Sequence, residues 1–126
     1  NLPKNPKTES EVFLSIPVQF DAMINWPNCS VIIGLIRDQS NCGSCWAFGA
    51  AEAMSDRICI KSMAATRVNI SAEDINDCCS RDGCRGGFLE NAWKFYQDVG
   101  VVTGGNYGSR SGCKPYSLPS CDHHTP

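Results

Sequence analysis

"RDQSNCGSCWAFGA", residues 37–50, sets two cysteines three positions apart directly before an apolar, helix-forming run. Three chemistries compete for this C-x-x-C pair. A redox pair needs Cys42 as an exposed attacking thiol and Cys45 as its resolving partner. It usually lies in a βαβ setting, and no such alternation flanks the motif. A zinc site needs a second pair, for which "CCSRDGC" at 78–84 could be pressed into service. The third reading splits the work: Cys42 is structural and Cys45 is a nucleophile. Ser44 suits an N-cap, which puts Cys45 at the positive end of a helix dipole, where a thiolate is stabilised. Gln39, six residues earlier, can turn its amide to the same point and donate to a developing oxyanion. Gly43 leaves room for an approaching peptide. Helix-start cysteines are more often packed or bridged than catalytic, so spacing alone does not choose.

Composition narrows the setting. The 126 residues suffice for one domain with a real core, and 42% of them are hydrophobic. Eleven basic against 13 acidic residues give a net charge of −2 with no basic patch, which argues against nucleic acid. No apolar run approaches the ~18 residues of a membrane span. Nine cysteines point to an oxidising compartment, secreted or lysosomal, and an odd count leaves at least one unpaired within the chain. The density of cysteines also disfavours the redox and zinc readings.

Outward from the motif, "CWAFGAAEAMSDRI" at 45–58 is apolar on most faces, which predicts a central, buried helix. "SAED" at 71–74 resembles a capping box opening a second, short helix. In "FLENAWKFYQDVG", residues 88–100, Leu89, Ala92, Trp93 and Tyr96 fall on one helical face, and Gly100 suits the C-cap. Trp46 and Trp93 are expected in the core. "IPVQFDAMINWPNC" at 16–29 is expected as extended chain anchored by Phe20 and Trp26, and "VIIGLI" at 31–36 as strand or tucked loop. Residues 1–15 are rich in Pro, Lys and Glu and read as linker or tail, and residues past 103 read as disulfide-held loop. The chain opens on Asn1 and stops at "CDHHTP", so a piece of something longer is expected.

"QSNCGSCW" at 39–46 resembles the signature around the nucleophile of the papain family of cysteine proteases, C-G-[SA]-C-[WY]. Together with "SAEDINDCC", "GCRGGF", "GCKPYSLPSC" and "CDHH", it is similar to the cathepsin B group of that family over nearly all of residues 16–126. The resemblance implies an α+β papain-like fold, of which mainly the helical lobe is present and disulfide-rich. It makes residues 1–15 the end of a propeptide and 16–126 the N-terminal part of the catalytic domain. It implies a peptidase with Cys45 and Gln39 as catalytic residues, and a catalytic His and Asn in a C-terminal half not contained here. No cofactor or metal is implied. The partners implied are peptide or protein substrates and the protein's own propeptide as inhibitor, with no nucleic acid and no membrane span, on a monomer of lysosomal or secreted location. Two alternatives remain beside it: an inactive, disulfide-held binding module, and a thiol–disulfide oxidoreductase that would need Cys42 free.

Residue by residue, the resemblance places Gly43, Ser44, Gly86, Gly87 and Phe88 along the substrate cleft. It implies the bridges Cys29–Cys59 and Cys42–Cys84, with Cys45, Cys78, Cys113 and Cys121 unpaired within the chain. It sets His123 and His124 on a loop across the primed end of the cleft, with Asp38 pairing with His123 as a latch. The sequence departs from the family at three places. Ser40 stands where glycine usually follows the glutamine, Arg85 stands where asparagine is common, and the shortened "CCSRDGC" leaves Cys79 without its expected partner.

Overall fold

The computed structural model describes residues 17–121. Its centre is helix α3, Cys45–Lys61, preceded by two short helices, α1 (Ala22–Asn25) and α2 (Ser30–Ile33), and followed by α4 (Ala72–Cys79) and α5 (Leu89–Asp98). A 3₁₀ turn, Pro27–Cys29, joins the first two. The β component among the described residues consists of isolated bridges: Gly43 with Arg85 in parallel, and the antiparallel pairs Ile70–Thr103 and Gly104–Gly112.

The apolar run after Cys45 forms a helix buried on several sides, because small alanines let neighbours approach closely. Ala47, Ala50, Ala51 and Met54 are essentially inaccessible, and Trp46, Phe48 and Cys59 are buried beside them. Ile70, Ile75, Ala92 and Tyr116 close the same core from α4, α5 and the loops. Helix α4 begins as its sequence predicts: Ser71 Oγ accepts from the Asp74 amide at 3.0 Å. Helix α5 ends at Asp98 with Val99 as its C-cap, and Gly100 follows at φ 94°, with its amide donating to Phe95 O.

Residues 17–29 depart from the extended chain expected of them. Asp21 Oδ1 accepts from the amides of Met23 and Ile24, which starts α1, and Pro27 at the head of the 3₁₀ turn continues the coiling. Phe20 and Trp26 stack edge to face, 5.6 Å apart, at a surface where both stay exposed, so neither is a core anchor. The β-branched run Val31–Ile33 does not make a strand: Ser30–Ile33 is helical, and Gly34 closes it by donating to Ser30 O at 2.8 Å. Trp93 is half-buried, with the Arg57 guanidinium 4.8 Å above its ring.

Two disulfides staple the lobe. Cys29–Cys59 ties the 3₁₀ turn to α3, and Cys42–Cys84 ties the turn before α3 to the loop after α4. Cys45, Cys78, Cys79, Cys113 and Cys121 are free thiols.

Candidate active site

The segment 37–45 is shaped by its anchors. Arg37 reaches inward, donating from Nη1 to Ile70 O at 3.0 Å and from Nη2 to Gly104 O at 3.2 Å, over the Phe48 ring. Burial lowers its pKa and the nearby Glu52 carboxylate opposes that. The chain then turns: Asp38 Oδ1 accepts from the Ser40 amide at 2.7 Å, and Ser40 sits at φ 58°. That left-handed backbone explains why glycine suits this position and why serine is a departure with a cost.

After the turn, Gln39 Nε2 donates to Cys42 O at 2.8 Å. A primary amide carries two N–H groups, so one remains for another acceptor. Cys42 is buried in its bridge to Cys84, and the Gly43 amide donates to Cys84 O at 2.8 Å. A side chain on Gly43 would run into the Cys84 carbonyl, so internal packing by itself requires glycine here. Cys45 follows as the first residue of α3, exposed, at the end where a helix presents its orphan N–H groups.

Ser44 occupies the N-cap position but does not cap with its side chain. Its hydroxyl is buried and lies 3.0 Å from Tyr116 Oη. Competition from that buried phenol, rather than any defect of serine as a cap, explains the difference.

The Gly86–Gly87–Phe88 stretch divides. Gly87 is required by the Trp46 ring, into which a Cβ would project, while Trp46 Nε1 donates to Gly83 O at 3.1 Å. Gly86, at φ 99°, faces open space. Phe88 precedes α5 and is 75% exposed. Arg85 points to solvent and pairs with Asp82 at 2.9 Å. Asp38 and Gln39 line a cavity of about 600 Å³ together with Asn106, Ser120 and Cys121. His123 and His124 lie outside the described residues, as do residues 1–15.

Thus Gln39, Gly43, Ser44 and Cys45 are gathered in one turn, bordered by Arg85 and Gly86 across the Gly43–Arg85 bridge. A redox role for the C-x-x-C pair needs Cys42 as a thiol, and here it is bridged. Sequence reasoning assigned no role to Tyr116 or Arg37. The signal that could have found Tyr116 is an aromatic residue within a loop of Gly, Ser, Lys and Pro, which has reason to be there only if it is buried.

The family profile described as papain family cysteine protease matches residues 16–125. The chain is 54% identical over 114 residues to cathepsin B-like cysteine proteinase 6 of Caenorhabditis elegans, covering 89% of this chain and 30% of that protein. It is 52% identical over 114 residues to the cathepsin B-like cysteine proteinase of Schistosoma japonicum, covering 89% of this chain and 33% of the relative. Among solved structures, procathepsin B S9 from Trypanosoma congolense superposes with a TM-score of 0.71 at 36% identity, over 90% of this chain and 36% of that one. The chain therefore spans about a third of the length of these relatives. With the cysteine turn, the helix it opens and the matched profile in agreement, the chain belongs to the papain family of cysteine proteases and is similar, within it, to cathepsin B-like enzymes.

Proposed function

We propose that this chain supplies the nucleophile and the oxyanion site of a cathepsin B-like cysteine peptidase. Cys45, as thiolate, attacks the scissile carbonyl carbon. The spare N–H of Gln39 and the Cys45 backbone N–H receive the oxyanion. The amine leaves with a proton, an acyl-thioester remains on Cys45, and water hydrolyses it. The histidine that activates Cys45 and protonates the amine, and the asparagine that orients it, belong to the C-terminal half of the full-length enzyme. Gly86, Gly87 and Phe88 line the cleft, and residues 16–126 are the N-terminal part of the catalytic domain behind a propeptide tail that inhibits it. The enzyme acts in the lysosome or outside the cell.

The observation that carries this reading is the Gln39 amide, held on the Cys42 carbonyl with one donor to spare, in the turn that leads into an exposed helix-start thiol. In the full-length enzyme, Cys45→Ser should lower kcat by about 10³-fold or more without loss of fold, read by peptide hydrolysis and thermal melting. Turnover that survives the substitution would sink the reading. The 126-residue chain by itself should be inactive, since the base that activates Cys45 is supplied elsewhere.

A finer element of the proposal is that the enzyme also releases dipeptides from substrate C-termini, through His123 and His124. Support comes from Asp38 and Cys121 lining one cavity, with His123 two residues beyond Cys121. An imidazolium–carboxylate contact holds in mildly acidic solution, where both groups are charged, and loosens as the imidazole loses its proton. Asp38→Ala should lower dipeptide release relative to internal cleavage by about fivefold at acidic pH, with little effect once the imidazole is neutral. A ratio unchanged across pH would refute the latch.

A further inference from the structure

Tyr116 lies in a polar, proline-containing loop, yet is only 3% exposed. Its ring meets Phe48 edge to face at 4.8 Å, and its amide donates to Gly105 O at 3.0 Å, so ring and backbone are both fixed. The hydroxyl donates to the backbone carbonyl of Gln39 at 2.8 Å. A phenol has one proton, and it is spent there. The 3.0 Å contact with Ser44 Oγ must therefore be donated by Ser44. One buried oxygen thus joins the residue that carries the oxyanion amide to the residue immediately before Cys45.

The intervening turn is tied to Cys84 through Cys42 and Gly43, and Tyr116 meets both of its ends, Gln39 and Ser44. Ser40 is in a strained left-handed conformation, and Gly43 brings no side chain. The Gln39 side chain closes the same ring through Cys42 O. A phenylalanine would fill the Tyr116 site almost as well, so the hydroxyl is the part left to explain. Burial pushes the phenol pKa up, against the hydrogen bond from Ser44, and so keeps the proton on the oxygen.

We propose that Tyr116 is a positioning residue for acyl transfer: its hydroxyl holds the Gln39 amide in register with Cys45. The proposal rests on the reading of those two residues given above. It predicts a loss confined to the step that develops an oxyanion.

The test uses the full-length enzyme. Tyr116→Phe should lower kcat about tenfold, with KM and the melting midpoint near wild type, since misplacing one oxyanion donor costs less than deleting it. Alkylation of Cys45 by iodoacetamide, a displacement at saturated carbon that forms no oxyanion, should keep its rate and pH profile within about twofold. In a Gln39→Ala background, Tyr116→Phe should cost less than about twofold more, because the two changes remove one function. Ser44→Ala spares the Tyr116–Gln39 bond and should cost less than Tyr116→Phe.

Unchanged kcat, full additivity with Gln39→Ala, or alkylation falling in step with kcat would each overturn the proposal. So would a Ser44→Ala loss as large as that of Tyr116→Phe, or a Tyr116→Phe protein that does not fold, which would make the hydroxyl purely structural. Cys45→Ser, assayed alongside, separates the two levels: turnover that survives it removes the peptidase reading itself, whatever Tyr116→Phe does.

Discussion

Ser40 shows how one residue can carry both the likeness and the departure. The turn between Arg37 and Cys42 needs a left-handed backbone at this position, and Ser40 meets it at φ 58° with the Asp38 carboxylate accepting from its amide. A side chain in that region costs roughly 1–2 kcal/mol, part of which a glycine would give back as extra entropy of the unfolded chain. Ser40→Gly should therefore stabilise the protein by about 0.5–1 kcal/mol, read as a higher denaturant midpoint at constant slope. An equal or lower midpoint would mean that the serine is not strained there. The placement of Cys45 at a helix start was legible because helix-start signals are local, whereas the Ser44 hydroxyl turns to Tyr116 instead of capping. The packing demand on Gly43 and Gly87 was not legible, since each is set by a distant group, the Cys84 carbonyl and the Trp46 ring.

Among the elements, α3 was legible at its start and not at its end. Ser44 marked the beginning, but the helix runs on to Lys61 and stops without glycine. Met63 and Ala64 take the left-handed positions instead, at φ 52° and 64°, and the Ala64 amide donates to Cys59 O at 2.8 Å. The geometry is that of a helix C-cap filled by residues that disfavour it. Ala64→Gly should raise stability by about 0.5–1 kcal/mol, measured by denaturant unfolding; a loss would show that the Ala64 methyl contributes more by packing than it costs in strain. Helix α4 was readable at its head from the Ser71 cap, and α5 at its tail from Gly100. Residues 17–29 differ from the extended chain that their aromatics and prolines suggest, because one aspartate cap decides the local backbone.

At the scale of the molecule, acidity acts on the packing around α3. Burial pushes the carboxyls of Asp56 and Glu52 above the ordinary range; for Glu52, the Arg37 guanidinium works against that rise and Asp56 adds to it. A carboxyl raised in the folded state binds more protons there than in the unfolded chain. Stability is then fully present below the unfolded value and falls as pH rises through the folded one. Asp56→Asn should make the melting midpoint fall less between about pH 4 and about pH 7 than it does in wild type. Parallel curves for the two proteins would rule the carboxyl out as a cause. Long-range arrangements of this kind, with Tyr116 under Gln39 and Arg37 under the carbonyls of Ile70 and Gly104, leave little local trace in sequence. The two bridges have a consequence of another sort. Their spans, 29–59 and 42–84, interleave, so cutting any one peptide bond between residues 29 and 84 still leaves a single covalent molecule. The chain can be nicked across its cysteine turn, its central helix or the loop beyond it without shedding a piece.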